Sequence, residues 1–176
     1  MHEDSQGIDM RDRTDRPATE ASNDCPVATA DPAAQFFTFL GTPLLASGRF
    51  GSVLADGGQL EVRCKIYAEG GENATHTHLK QDHLFFVLGG QATFTIGRDA
   101  GQEIIARPFE GLLVPRGAYY RLLNSGDENL VMLRVSTGPD DPDARMGPDD
   151  APLPGHSPKN KHEPPVFSPG RTFLPS

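Results

Sequence analysis

The sequence predicts an all-β, antiparallel domain, a sandwich or a barrel. Three observations carry this reading. Leu60–Tyr67 alternates apolar and polar residues with period two. Short strand-like runs then succeed one another as far as Ser136, separated by glycine- and proline-bearing turns. Residues 34–137 hold no amphipathic helical stretch.

The elements follow in order. In Leu60–Tyr67, one face carries Leu60, Val62, Cys64 and Ile66, and the other Glu61, Arg63, Lys65 and Tyr67. That is the pattern of a half-buried strand. His83–Leu88 is continuously apolar after its first residue. Gly89-Gly90 then permits a tight reversal into Gln91–Ile96, where Ala92, Phe94 and Ile96 alternate with Gln91, Thr93 and Thr95. Asp99-Ala100-Gly101 marks a turn before Glu103–Ala106. Gly111–Val114 runs into Pro115-Arg116-Gly117, a turn in which proline presets φ. Ala118–Asn124 and Leu130–Ser136 complete the series on either side of Ser125–Asn129. About 100 residues suffice for a single β core.

The chain has 176 residues, one domain's worth, and a net charge of −8. The charge belongs mostly to the ends. Residues 1–33 hold eight acids and three bases; residues 34–137 hold ten acids and nine bases. Ten of the 16 prolines fall in residues 138–176. Residues 1–33 therefore read as a disordered acidic segment, 34–137 as the β domain, and 138–176 as a proline-rich extended tail. Val166, Phe167, Phe173 and Leu174 leave open whether that tail is docked or loose. The acidic pI near 5.1 argues against a nucleic-acid partner. No apolar run reaches the ~18–20 residues of a membrane span. No secretory leader pattern opens the chain. Two cysteines make no disulfide framework, so a reducing, cytoplasmic setting is expected, with Cys64 an inert core thiol.

The candidate chemistry sits in Thr75-His76-Thr77-His78-Leu79-Lys80-Gln81-Asp82-His83. Residues i and i+2 of a strand share a face, so His76 and His78 aim at one point. A turn through Leu79–Asp82 is expected to return His83 on the adjacent strand, ~4.8 Å away. Three neutral imidazoles on one face suit zinc, iron, nickel or copper and leave positions open for substrate. Alternatively, His76 and His78 are plain polar loop residues and His83 a core histidine.

These residues carry a resemblance. Gly70-x5-His76-x-His78-x4-His83-x6-Gly90 resembles the first cupin motif, and Val114–Asn124 resembles the end of the second. The resemblance covers roughly residues 35–137. It implies a small antiparallel jelly-roll β-barrel with irregular N- and C-terminal extensions, a metal held inside the barrel, and a homodimer. Two departures stand out. His83 occupies the place of the family's glutamate, although a register through Asp82 also fits. Tyr120 occupies the place of the second motif's histidine. Tyr120 is then a ligand, a catalytic proton donor, or a barrel-wall aromatic.

The resemblance implies a divalent metal on His76, His78 and His83, iron foremost, with zinc, nickel or manganese as alternatives. It implies a small-molecule substrate, anionic or carbonyl-containing, with dioxygenase-type chemistry favoured over isomerase, cyclase or lyase chemistry. Phe85, Val87, Phe94 and Leu122 are expected to form an apolar, water-poor substrate pocket. Arg116 and Arg121 either hold a substrate carboxylate or stand as surface charges. The Pro-Arg-Gly-x-Tyr-Tyr stretch also resembles cupins of centromere-associated proteins, which points to a competing reading as a non-catalytic ligand-binding or dimerisation module.

Overall fold

A computed structural model describes residues 34–68, 71–138 and 144–175. Residues 1–33, read from sequence as disordered, and Gly70 of the first motif lie outside the described residues. The strands, in chain order, are β1 (Thr42–Ser47), β2 (Arg49–Asp56), β3 (Leu60–Tyr67), β4 (Thr77–His78), β5 (His83–Gly89), β6 (Ala92–Ile96), β7 (Gln102–Ala106), β8 (Gly111–Val114), β9 (Tyr120–Asn124), β10 (Leu130–Thr137), β11 (Arg145–Met146) and β12 (Val166–Phe173). All their pairings are antiparallel. The expected all-β fold is the fold observed.

One sheet has the order β2-β3-β10-β5-β8, and the other β7-β6-β9. A bridge from His76 to Tyr120 carries the second sheet on toward β4, which pairs with β11. The chain therefore changes sheets repeatedly after β4. Gly89-Gly90 does not close a hairpin, because β5 and β6 lie in different sheets. His83 likewise does not return beside the His76–His78 strand. It comes from the opposite sheet, whose β5 pairs with β10 and β8. Between β8 and β9, Ala118 N–H donates to Pro115 C=O at 3.1 Å, closing a turn whose third residue is Gly117 at φ +80°. Only glycine takes that φ without strain, so Gly117 rather than proline is what the turn requires.

Two apolar clusters result. Phe85, Val87, Phe94, Leu122, Leu130 and Met132 are buried between the two sheets. Cys64, Ile66 and Val131 point the other way, and Leu45 of β1 covers them. Phe173 of β12 packs there too, with its ring 6.3 Å from that of Phe39. Burial pushes the Cys64 thiol up to about 11, as expected of an inert core thiol. The apolar face of β3 is thus the outer face. Its polar face, with Arg63, Lys65 and Tyr67, looks into the barrel.

Candidate functional site

The inner face of β3 borders a cavity of about 420 Å³. Arg49 and Gly51 of β2, Arg63, Lys65 and Tyr67 of β3, and Arg134 of β10 line one side. His76, His78, Phe85, Tyr120 and Arg145 line the other. Gly155, His156, Asn160 and His162 of the C-terminal segment close over it. Asn160 anchors that closure and is 1 % exposed. Its Oδ1 accepts from Arg145 Nη2 at 3.1 Å and from Ala74 N–H at 3.3 Å, and its C=O accepts from Arg49 Nη2 at 3.0 Å.

His76 and His78 border this cavity, and His83 packs against His78. The His78 ring centre lies 5.1 Å from His76 and 4.2 Å from His83. The Tyr120 ring lies 4.5 Å from His76. His76 Nδ1–H donates to Ala74 C=O at 2.7 Å, which leaves the Nε2 lone pair available. Gln81 Nε2 donates to Gly138 C=O at 3.1 Å, so the Gln81 oxygen faces His83. His83 Nε2–H therefore donates to Gln81 Oε1 at 3.3 Å, and His83 Nδ1 accepts from the Tyr120 hydroxyl at 3.1 Å. Burial, with help from nearby Arg145 and Arg134, pushes His78 down to about 3. Burial, then His78 and these arginines, pushes His83 down to about 2, and His76 also falls well below the ordinary range. All three imidazoles are neutral at pH 7, the state a metal ligand needs. Among the described residues, however, no set of three His, Cys, Asp or Glu side chains is already arranged around one metal position. Both nitrogens of His83 are engaged, one by Tyr120 and one by Gln81.

The cavity wall is strongly cationic. Arg63 and Arg134 stand directly opposite each other on β3 and β10, a like-charge pairing that destabilises a sheet. Glu61 bridges them: its carboxylate accepts from Arg63 at 2.5 and 2.7 Å and from Arg134 at 3.0 Å. The Arg63 hydrogen bond leads in holding the Glu61 carboxyl below the usual range, against the effect of burial. Lys65 is pushed down to about 7, first by burial and then by Arg134, Arg63, Arg49 and Arg145.

Residues 65–136 match the family described as Cupin domain. These residues carry a Cupin domain. Its fold is shared by KdgF from Halomonas sp., at TM-score 0.53 and 14 % identity over 62 % of this chain and 97 % of that one. It is also shared by BH2720 from Bacillus halodurans, at TM-score 0.50 and 20 % identity over 53 % and 73 %. The Schizosaccharomyces pombe Cnp3 cupin domain matches at TM-score 0.47 and 17 % identity, over 52 % and 60 %. No curated protein matches the chain.

The structure brings His76, His78, His83 and Tyr120 together, with His83 reaching the group from the opposite sheet rather than from the adjacent strand. Asp82, the alternative to His83, points elsewhere: its carboxylate accepts from Arg116 Nε at 3.1 Å, Nη2 at 2.7 Å and backbone N–H at 2.9 Å. Arg121 lies 3.8 Å from Glu72. Neither Arg116 nor Arg121 borders the cavity. Of the four expected pocket residues, Phe85 borders it. Val87, Phe94 and Leu122 are sealed in the core between the sheets, because the inner face turns apolar toward β5 and β6. The expected apolar pocket is a cationic one. Sequence reasoning missed Arg49, Lys65, Arg134, Arg145 and Asn160. Arg63, Lys65 and Arg134 fall within strands expected from sequence, but alternation alone reads such residues as solvent-facing. Among the described residues, no helix is long and apolar enough to cross a membrane.

Proposed function

We propose that the protein is a metal-dependent cupin enzyme acting on a small organic anion. The observation that carries this reading is the cluster of three neutral imidazoles, two of which, His76 and His78, open onto a cationic chamber. His76, His78 and His83 would hold the metal, and the neutral donor set fits one. The bound ion would supply Lewis acidity toward a chelating oxygen, or dioxygen chemistry if it is iron, with zinc, nickel or manganese as alternatives. Were a metal to take the place of the His83–Gln81 hydrogen bond, the ring's proton would sit on the Nδ1 side, facing the Tyr120 oxygen. Tyr120 is then the proton partner of His83. Phe85 keeps water from that side, and the chamber's cations orient the substrate's charge. A homodimer belongs to the same proposal: Leu84 and Leu113, register partners on β5 and β8, are exposed.

Metal analysis of the purified protein, with melting curves in added iron, zinc, nickel and manganese, tests the reading. Stoichiometric metal and a raised Tm are expected, both lost in His76→Ala and His78→Ala. A metal-free protein indifferent to all four ions would sink it. That result would favour a cupin that binds a small ligand without metal, a reading supported by the occupied nitrogens of His83.

A further inference from the structure

Five cations surround the chamber: Arg49, Arg63, Lys65, Arg134 and Arg145. Among the described residues two carboxylates act on them. Glu61 serves Arg63 and Arg134, and Glu163 acts on Arg49 through space. Among the described residues these five cations meet two carboxylates, which leaves an excess of positive charge in a partly enclosed cavity, where fields are focused. The arginine forks are not equally available. Arg49 spends its guanidinium on the carbonyls of Glu72 and Asn160, which ties the C-terminal segment to β2. Arg63 spends its own on Glu61.

Three donors remain. Nε of Arg134 and Nε of Arg145 are buried and meet no hydrogen-bond acceptor. The Lys65 ammonium lies 5.9 Å from the centre of the Tyr67 ring and, among the described residues, meets no acceptor either. Its place is cleared by Gly51, its register partner on β2. A Cβ at position 51 would come within 2.8 Å of Lys65 Cδ and 3.0 Å of Nζ.

We propose that Lys65, Arg134 and Arg145 form a recognition site for a compact dianionic group, a phosphate monoester or a paired carboxylate, on the chamber's ligand. Arginine forks match the planar edges of either group, and the lysine adds a point charge. The assignment rests on reading the chamber as a small-molecule site, but not on the metal.

The probes are inorganic phosphate and succinate, with acetate as the single-charge control. Binding to the full chain is measured by calorimetry and melting curves at fixed ionic strength. Phosphate, succinate or both bind saturably, and acetate binds at least about tenfold more weakly. Phosphate alone assigns a monoester, and succinate alone a dicarboxylate. Lys65→Met weakens dianion binding by about tenfold or more. Gly51→Ala, which leaves every charge in place and displaces the ammonium, weakens it by a smaller factor. The double variant His76→Ala, His78→Ala keeps dianion binding while losing metal, so the two readings fail separately. The proposal is overturned if neither dianion binds or if acetate binds as tightly. It is also overturned if a Lys65→Met protein of unchanged Tm binds dianions like the parent.

Discussion

The barrel interior has two unlike halves built by the same strands. β10 gives Leu130 and Met132 to the apolar half and Arg134 to the chamber. In β3, Tyr67 belongs to the apolar cluster and borders the chamber as well, whereas Arg63 and Lys65 face the chamber. Period-two alternation decides which residues point inward; it does not decide whether the inside is oil or charge. The apolar half supplies stability by burying Phe94, Leu122 and Val87 completely. The chamber spends stability, holding three neutral histidines and a surplus of cations out of bulk water.

The sharpest way to break this division is to open the apolar half. Phe94→Ala removes a fully buried ring and is expected to cost about 3–5 kcal/mol in urea unfolding, enough to threaten the fold. A loss under about 1 kcal/mol would mean that the apolar half is not the stabilising one.

Acid attacks the other half. His78 and His83 titrate near 3 and 2 in the folded chain but near 6.5 when unfolded. As pH falls below 6.5 the unfolded chain takes up protons that the folded chain refuses, so stability falls with pH. Two such histidines cost about 4 kcal/mol between pH 7 and 5, and His76 adds in the same direction. Urea titrations of metal-free protein at pH 7, 6 and 5 measure this. A flat profile would show that the imidazoles are in contact with bulk water.

How much of this could be read from the sequence follows the same division. The apolar half and its strands were legible. Leu60–Tyr67 and Gly111–Val114 are strands to the residue, and β5, β6, β7, β9 and β10 differ from expectation only at their ends. β1, β2 and β12 were not read from sequence. β1 and β12 contain Pro43, Pro169 and Gly170 and pair with register shifts, so they lack clean alternation. At the site, His76 and His78 were legible from local spacing, whereas His83 and Tyr120 were named through the motif resemblance and are brought in by the opposite sheet and by β9. The cations were not, since a charged residue on an alternating strand reads as solvent-facing. Only tertiary structure shows that β1 and β12 cover the apolar face of β3 and leave its charged face inside. Asn160 was hidden further still, because its partners Arg49, Ala74 and Arg145 are distant in sequence.

Between the two extremes lies Glu61, which holds the like-charged Arg63 and Arg134 together. Glu61→Gln is expected to cost about 1–3 kcal/mol in anion-free buffer, because it removes the charge that both guanidiniums share. Added phosphate should restore part of that loss if the chamber accepts a replacement anion. An equal loss with and without phosphate would show that Glu61 acts by hydrogen bonding alone.

The smallest effect on stability is expected at Asp82. Its ion pair with Arg116 is exposed, and Arg116 also holds it with a backbone N–H. Surface pairs of this kind contribute little. Asp82→Ala should therefore melt close to the parent, while the Asp82 carboxyl, held well below its usual range by Arg116, leaves the pH profile near neutrality unchanged. The informative readout is metal binding, because Asp82 and His83 are the two candidates for one position in the motif. His83 lies 4.2 Å ring to ring from His78, whereas the Asp82 carboxylate is turned toward Arg116. His83→Ala should lose metal and Asp82→Ala should keep it. The reverse result would place the ligand on the Arg116 side and detach His83 and Tyr120 from the metal site.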